Sequence, residues 1–427
     1  VRADWTSSTV AVTNSVSLGD SLDHGSTRDY GPTPERNSSS CPPIDTVPQE
    51  QQGSGATNGG TALDCVNSVE GDDSDSPPEA DRPDERLPDI LVSQLDWHPQ
   101  AVASVVSQCT ACGHCRTQGP GLRMCPLFRA QPFEEASPRA KVTLVRAILT
   151  GDLPLETITE DTFRAIADLC VHCHMCRVEC PAQVDVPHLM MEAKTANTAA
   201  HGLPFSDWLL NRIEIVAAWG ARVAPFVNWA LQNKQLRWLL EKVTGIAQAR
   251  KLPRLEKTSF LRIAARRHLH RPPRHGGPKV AYFVDVFATW FDHRLAEALI
   301  EVFEHNGIGV YVPLDQRGAG TAALTSGDAD YARRVARRNV MVLAEAVRQG
   351  YDVVTTEPAA ALSLTREYPE ILDEEDARLV AAHTFDACDY LYRLYEAGKL
   401  RLDFQEIPLR LTYHWPCRLR ALGVGQP

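Results

Sequence analysis

Apolar residues follow three different patterns along the 427 positions. Through the first ninety they have no period, and Ser, Gly, Thr, Asp and Pro fill stretches such as Gly71-Asp72-Asp73-Ser74-Asp75-Ser76-Pro77-Pro78. Such a segment cannot bury enough surface to offset its ordering entropy, so residues 1–90 are expected to be a disordered acidic tail. From 91 to about 275 the period is helical. Ser137 opens a helix with Pro138 at its first position and Val142, Val145, Ile148 and Leu149 on one face. Asp161 opens a second helix, through Phe163, Ile166, Ala167 and Leu169, and Pro187 to Ala200 forms a third, ended by Gly202. Over 203–275, Trp208, Leu209, Ile213, Val216, Trp219, Val223, Val227, Leu231, Trp238 and Leu240 recur at helical steps. The default reading is a core-facing stripe, because aromatics at helical spacing usually pack inward. The sharper reading is a docking surface for a partner or a membrane interface.

From 279 the pattern changes again. Short β runs at Lys279–Val284, Val310–Val312, Val353–Val354 and Leu409–Tyr413 alternate with helices at Arg294–His305, Asp328–Gln349, Ala359–Glu367 and Asp376–Tyr395. That alternation predicts a parallel, helix-covered sheet. The expected order is a tail (1–90), an α-helical domain (91–202), a helical spacer with a basic strap (203–275) and an α/β domain (276–427).

Charge sharpens the division. Net charge is −10, but residues 1–90 hold 17 acids against 5 bases, so the tail carries −12 and the remainder +2. Nothing here suits nucleic acid as a bulk partner. The strap, 250–279, holds ten Lys/Arg against Glu256 alone; a solvated face is the default for it and an anionic lipid surface the minority reading. No run of apolar residues is long enough to cross a bilayer, and no export signal precedes the tail, so a cytoplasmic location, at most peripheral to the membrane, is expected. A start at Val1 and a stop at Pro427 suggest a fragment.

Eight of the twelve cysteines fall within 72 residues, as Cys109-Thr-Ala-Cys112-Gly-His-Cys115 with Cys125-Pro126, and Cys170-Val-His-Cys173-His-Met-Cys176 with Cys180-Pro181. Three cysteines spaced by two let one loop place three thiolates around an iron–sulfur cubane. A fourth ligand must then come from elsewhere, and in two-cluster ferredoxins it comes from the other motif. Cys109, Cys112, Cys115 and Cys180 are therefore assigned to one [4Fe–4S] cluster, and Cys170, Cys173, Cys176 and Cys125 to another, which makes 91–202 an expected α-helical two-cluster ferredoxin-type domain. Zinc is the competing reading, but a tetrahedral ion needs two pairs, not two triads each trailed by Cys-Pro. The nine-residue gap before Cys125 departs from the usual three. Interleaved His114, His172 and His174 could be ligands or could tune the potential by donating to sulfur, but surface positions of the loops are the default reading; Cys41 and Cys65 are expected to be free thiols.

These motifs, the helical spacer and the α/β region resemble the iron–sulfur subunits of membrane-associated FAD-linked dehydrogenases. That group includes the C subunit of anaerobic glycerol-3-phosphate dehydrogenase and the glycolate oxidase iron–sulfur subunit, and the same modules form the C-terminal half of fused FAD-linked oxidases. The resemblance covers roughly 95–427. It implies electrons passing from a flavin that has oxidised a hydroxy acid or glycerol phosphate, through both clusters, to a quinone. FAD would sit on a partner subunit or a missing domain, since no Gly-x-Gly-x-x-Gly helix start occurs here.

The family's cysteine-rich repeats are degraded in this chain. Val284-Asp285-Val286, Gly318-Ala319-Gly320 and Glu357-Pro358-Ala359-Ala360 stand where cysteine motifs would be, so the first repeat cannot hold a thiolate-bound cofactor. A second repeat opens at His414-Trp415-Pro416-Cys417, which makes Cys417 a weak candidate ligand, or equally a buried free thiol. No catalytic constellation is visible. Alternatives to the electron-transfer module are an iron–sulfur redox-sensing or assembly protein, and more weakly a zinc-stabilised scaffold.

Overall fold

The computed structural model describes residues 99–119, 124–273 and 277–425. The expected tail, with Cys41 and Cys65, lies outside them.

Helices α1 (Pro99–Ser107), α2 (Pro126–Ala130), α3 (Pro138–Leu149), α4 (Asp161–Asp168), α5 (Met175–Glu179) and α6 (Val186–His201) carry the cysteine loops between them. The start of α3 is set by Ser137, whose hydroxyl accepts from Ala140 N at 3.1 Å, with Pro138 in the first turn. Val142, Val145 and Ile148 then join Phe163, Ala167, Leu189 and Met190 in one core. Every residue of α6 from Val186 to Asn197 is buried, so this helix is the shared wall between the cysteine loops and the α/β part.

The closest approach lies there. Gly327, with φ +86°, comes so near α6 that a Cβ would stand 2.5 Å from the carbonyl carbon of Lys194. Beside it, Lys194 Nζ donates to Cys170 O (3.0 Å) and Thr325 O (3.1 Å), and Arg164 donates to Lys194 O, Thr198, Asp207 and Ser326 O.

Helices α7 (Phe205–Asn211), α8 (Ile213–Gly220), α9 (Ala224–Gln232) and α10 (Lys234–Thr244) follow. The core-facing stripe expected here is overturned. None of its ten residues is buried; Ala217, Ala221 and Ala224 face inward instead, while Trp219 is 67%, Phe226 63% and Trp229 55% exposed. Close packing through small residues leaves the large ones outside.

After α11 (Phe260–Arg266), β1 (Lys279–Phe283), β2 (Gly309–Tyr311), β3 (Asp352–Thr355) and β4 (Thr384–Asp386) form an all-parallel sheet in the order β2-β1-β3-β4. Lys279 pairs with Gly309, Val280 with Asp352, and Val353 with Thr384. Alternate residues of β1 feed the two faces. Ala281 and Phe283 pack under α15 (Ala329–Arg348), while Val280 and Tyr282 pack under α13 (His293–His305). Both faces are thus helix-covered, as the sequence predicts for parallel strands.

Two expectations for this part fail. Asp376–Tyr395 is not one helix: α18 (Glu375–Ala382) and α19 (Ala387–Glu396) flank β4, and Asp386 ends the strand by accepting from Cys388 N at 2.9 Å. Leu409–Tyr413 is not a strand; residues 401–413 are exposed and carry no regular element. Without a sheet neighbour, an apolar alternation alone does not make a ladder.

Candidate functional site

Both cysteine loops use the same backbone. Cys109 follows α1, and Cys115 sits in a single 3₁₀ turn, His114–Arg116. Cys170 follows α4, Cys176 lies in α5, and Cys180 closes that helix. In the first loop Ala111 and Gly113 take positive φ, +54° and +76°; in the second, His172 and His174 do, at +53° and +59°. Each loop therefore makes two left-handed bends, which turn its three thiols toward one side.

The first loop's three cysteines and Cys180 line one small cavity, with Cys176 of the second loop, Met124, Val142 and Val184 also among its walls. Cys125, at the start of α2, stands by the second loop instead. Burial first, then the proximity of Cys170 and Cys125, pushes the Cys176 thiol well up. Burial likewise raises Cys170. Thiols held protonated by burial and by one another suit a cationic iron–sulfur core, whose charge would ionise them. The donor set fits the group.

Cations back the second set. Lys141, 2% exposed, donates to Glu135 O and Ala136 O, both at 2.9 Å; burial lowers its pKa, and Cys125, Cys170 and Cys176 pull it back up.

His114 is half-buried, but for the other two histidines the expected surface position is wrong. His172 and His174 are 4% and 3% exposed. Their Nε2 atoms lie 2.9 and 3.3 Å from one oxygen of Glu367, the last residue of a π-helical turn, Ser363–Glu367. Burial pushes Glu367 up, yet the two imidazoles outweigh it and hold the carboxyl well below its usual range. Burial, ahead of the Glu367 hydrogen bond, keeps His172 below its ordinary value. Sequence reading missed Glu367, because only the fold brings it to a loop nearly two hundred residues earlier.

Cys417, at the start of α20 (Cys417–Ala421), hydrogen-bonds with the Cys173 thiol. That contact raises Cys173 and, with Arg418, draws Cys417 down to about 6. The weak candidate ligand is therefore a neighbour of the second cysteine group and is only partly buried.

Carboxylates occupy the degraded repeat, outside the carboxyl ends of β1 and β3, where the strand order reverses. Gly318 N donates to Glu214 and Ala319 N to Asp285, both at 2.8 Å. Glu357 accepts from Phe287 N and Ala288 N at 3.0 and 3.1 Å and hydrogen-bonds with the Asp285 carboxyl. Burial drives Glu214 up to about 7 and Glu357 to about 8. A Cβ on Gly318 would meet Val286 at 2.5 Å and Asp285 at 3.0 Å, so the turn needs glycine there. No cysteine is present to hold a cofactor at these three segments.

Known proteins agree with this chemistry. Residues 77–184 match the 4Fe-4S dicluster domain family. The C subunit of anaerobic glycerol-3-phosphate dehydrogenase from Escherichia coli is 29% identical over 222 residues, 51% of this chain and 54% of that protein. Lactate utilization protein A of Exiguobacterium is 24% identical over 153 residues, 34% of this chain and 60% of its own length. D-2-hydroxyglutarate dehydrogenase of Haemophilus influenzae is 23% identical over 231 residues, 52% of this chain and 22% of the relative. The chain thus spans about half the length of the glycerol-3-phosphate dehydrogenase relative. No solved structure matches it. A 4Fe-4S domain built on paired cysteine loops, with these relatives, makes the chain an iron–sulfur protein homologous to that dehydrogenase's C subunit and to the lactate-utilization proteins.

Proposed function

We propose that this chain is an electron-transfer module, holding two [4Fe–4S] clusters and linking a flavin dehydrogenase of the hydroxy-acid or glycerol-3-phosphate type to a quinone or other acceptor. When bound, such clusters carry single electrons at potentials the protein sets. Cys109, Cys112, Cys115 and Cys180 hold one, and Cys170, Cys173, Cys176 and Cys125 the other. The observation that carries this reading is that Cys180, 65 positions beyond Cys115, lines the cavity of the first loop, where Cys176 also reaches. Lys141 places a buried positive charge beside the second set and favours its reduced state. The flavin belongs to a partner chain or to another part of the protein.

Membrane contact is the second element of the proposal. No described helix is long and apolar enough to cross a bilayer. Exposed aromatic rings stand instead on four successive helices, as Trp208, Trp219, Phe226, Trp229 and Trp238, with Arg222 4.4 Å over the Trp219 ring and exposed Lys234 and Lys242 on the last of these helices. Aromatic rings beside cations suit the headgroup level of an anionic lipid surface.

Anaerobic iron and sulfide analysis tests the centre, with EPR of the dithionite-reduced protein. About eight of each per chain and interacting signals are expected; zinc without sulfide would end the proposal. Co-sedimentation with anionic vesicles tests the surface, and binding unchanged in a Trp219→Asp/Trp229→Asp variant would remove it.

A further inference from the structure

The second cysteine loop does something the first does not. At the two left-handed positions where the first loop has Ala111 and Gly113, it carries histidines. A bulky residue there is strained, and persists where the surroundings over-determine it. Here the surroundings are a carboxylate. His172 and His174 meet edge to face, ring centroids 4.4 Å apart, with both Nε2 atoms aimed at Glu367 Oε1.

We infer that His172, His174 and Glu367 form a mononuclear site for a divalent transition-metal cation of the zinc or ferrous class, separate from the cysteine groups. All three side chains are buried, and their donor atoms lie within 4.8 Å of one another. Metal–ligand bonds of ~2.0–2.2 Å set neighbouring donors roughly 3–3.5 Å apart, which the 2.9 and 3.3 Å separations match. Two imidazoles and one carboxylate leave coordination positions free, as in sites for ferrous iron or zinc.

Orientation is also built in. Ser363 donates to the second oxygen of Glu367, and Thr321 hydrogen-bonds Ser363 at 3.0 Å. Such outer partners fix the face a ligating carboxylate presents. The carboxylate sits on a π-helical turn, a distortion frequent at functional sites. His174 Nδ1 is buried without a partner, so this ring's polar anchor is its Nε2 end. Hydrogen bonds alone would give the same spacing. They leave unexplained why histidines rather than small residues stand at both of these bends and share one oxygen. A bound ion would join the second cysteine loop to the α/β part through a single atom.

The site uses no cysteine, so its test is separate from that of the clusters. The complete, cluster-loaded protein is purified anaerobically, and iron, zinc and sulfide are counted by mass spectrometry and colorimetry. One metal per chain in excess of sulfide-matched iron is expected, or one Zn²⁺ taken up in calorimetry after a chelator wash. Glu367→Gln should abolish that uptake with iron and sulfide unchanged, and Ser363→Ala should weaken it about 10–100-fold. No uptake by the parent protein overturns the inference. So does uptake equal in parent and Glu367→Gln, which would mark zinc held by thiols such as exposed Cys388. Should Glu367→Gln lose its clusters, unchanged affinity in Ser363→Ala overturns it instead. Missing sulfide, by contrast, counts against the clusters and leaves the parent–variant comparison readable.

Discussion

The two cysteine loops share spacing and backbone bends but not surroundings. The first is open: Cys112 is exposed, no atom lies within 4 Å of a Cβ added at Gly113, and its cavity walls are largely apolar. The second is enclosed: Cys173 and Cys176 are buried, Lys141 and Lys194 stand beside it, and Glu367 reaches in from the α/β part. One motif thus recurs with the same spacing and bends, and the environment differentiates the copies. Exposure and nearby charge set a cluster's potential, so the two centres should differ in potential even with identical ligands.

The largest effect should come from the ligands. Cys173→Ser and Cys125→Ser should each remove about half of the iron and leave the signal of the first set. If both sets survive Cys125→Ser intact, the crossed pairing is wrong. Next is pH. Protonated Glu214 and Glu357 favour the folded α/β part, because their folded pKa values lie above the ordinary carboxylate value. That contribution is complete below about 4.3 and is lost as pH rises through about 7 to 8. Melting temperature should therefore fall over that range, with bleaching of the second set ahead of the first. A profile unchanged in Glu357→Gln would refute this.

Replacing Lys141 with Met should make the second set harder to reduce, by several tens of millivolts from the loss of a nearby positive charge. Redox titration reads it, and an equal shift in both sets would contradict the assignment. The smallest change is Gly113→Ala, which should cost about 1 kcal/mol in urea unfolding through its left-handed backbone. No loss would mean the first loop relaxes freely.

Legibility in the sequence followed range. The cysteine triads are local patterns, as are the Ser137 cap and the alternation through β1, so spacing alone reveals them. Burial of His172 and His174 depends on Glu367, nearly two hundred residues downstream, and no window around the loop contains it. The aromatic stripe misled for another reason. Helical period shows that large residues share a face, but whether that face turns inward depended on Ala217, Ala221 and Ala224 packing opposite it. Strand β4 was lost because three residues cannot establish a period between two helices.

At Gly327 the chain lies against the backbone of α6 with no room for even a methyl group, while Lys194 and Arg164 fasten the same spot from the other side. A hinge needs slack, and this seam has none. Opening it would break the bonds of Lys194 Nζ to Thr325 O and of Arg164 to Ser326 O, so α6 and the α/β part travel together. On the proposed reading, gating of electron flow would come from the arrival and departure of a partner rather than from a swing at this seam.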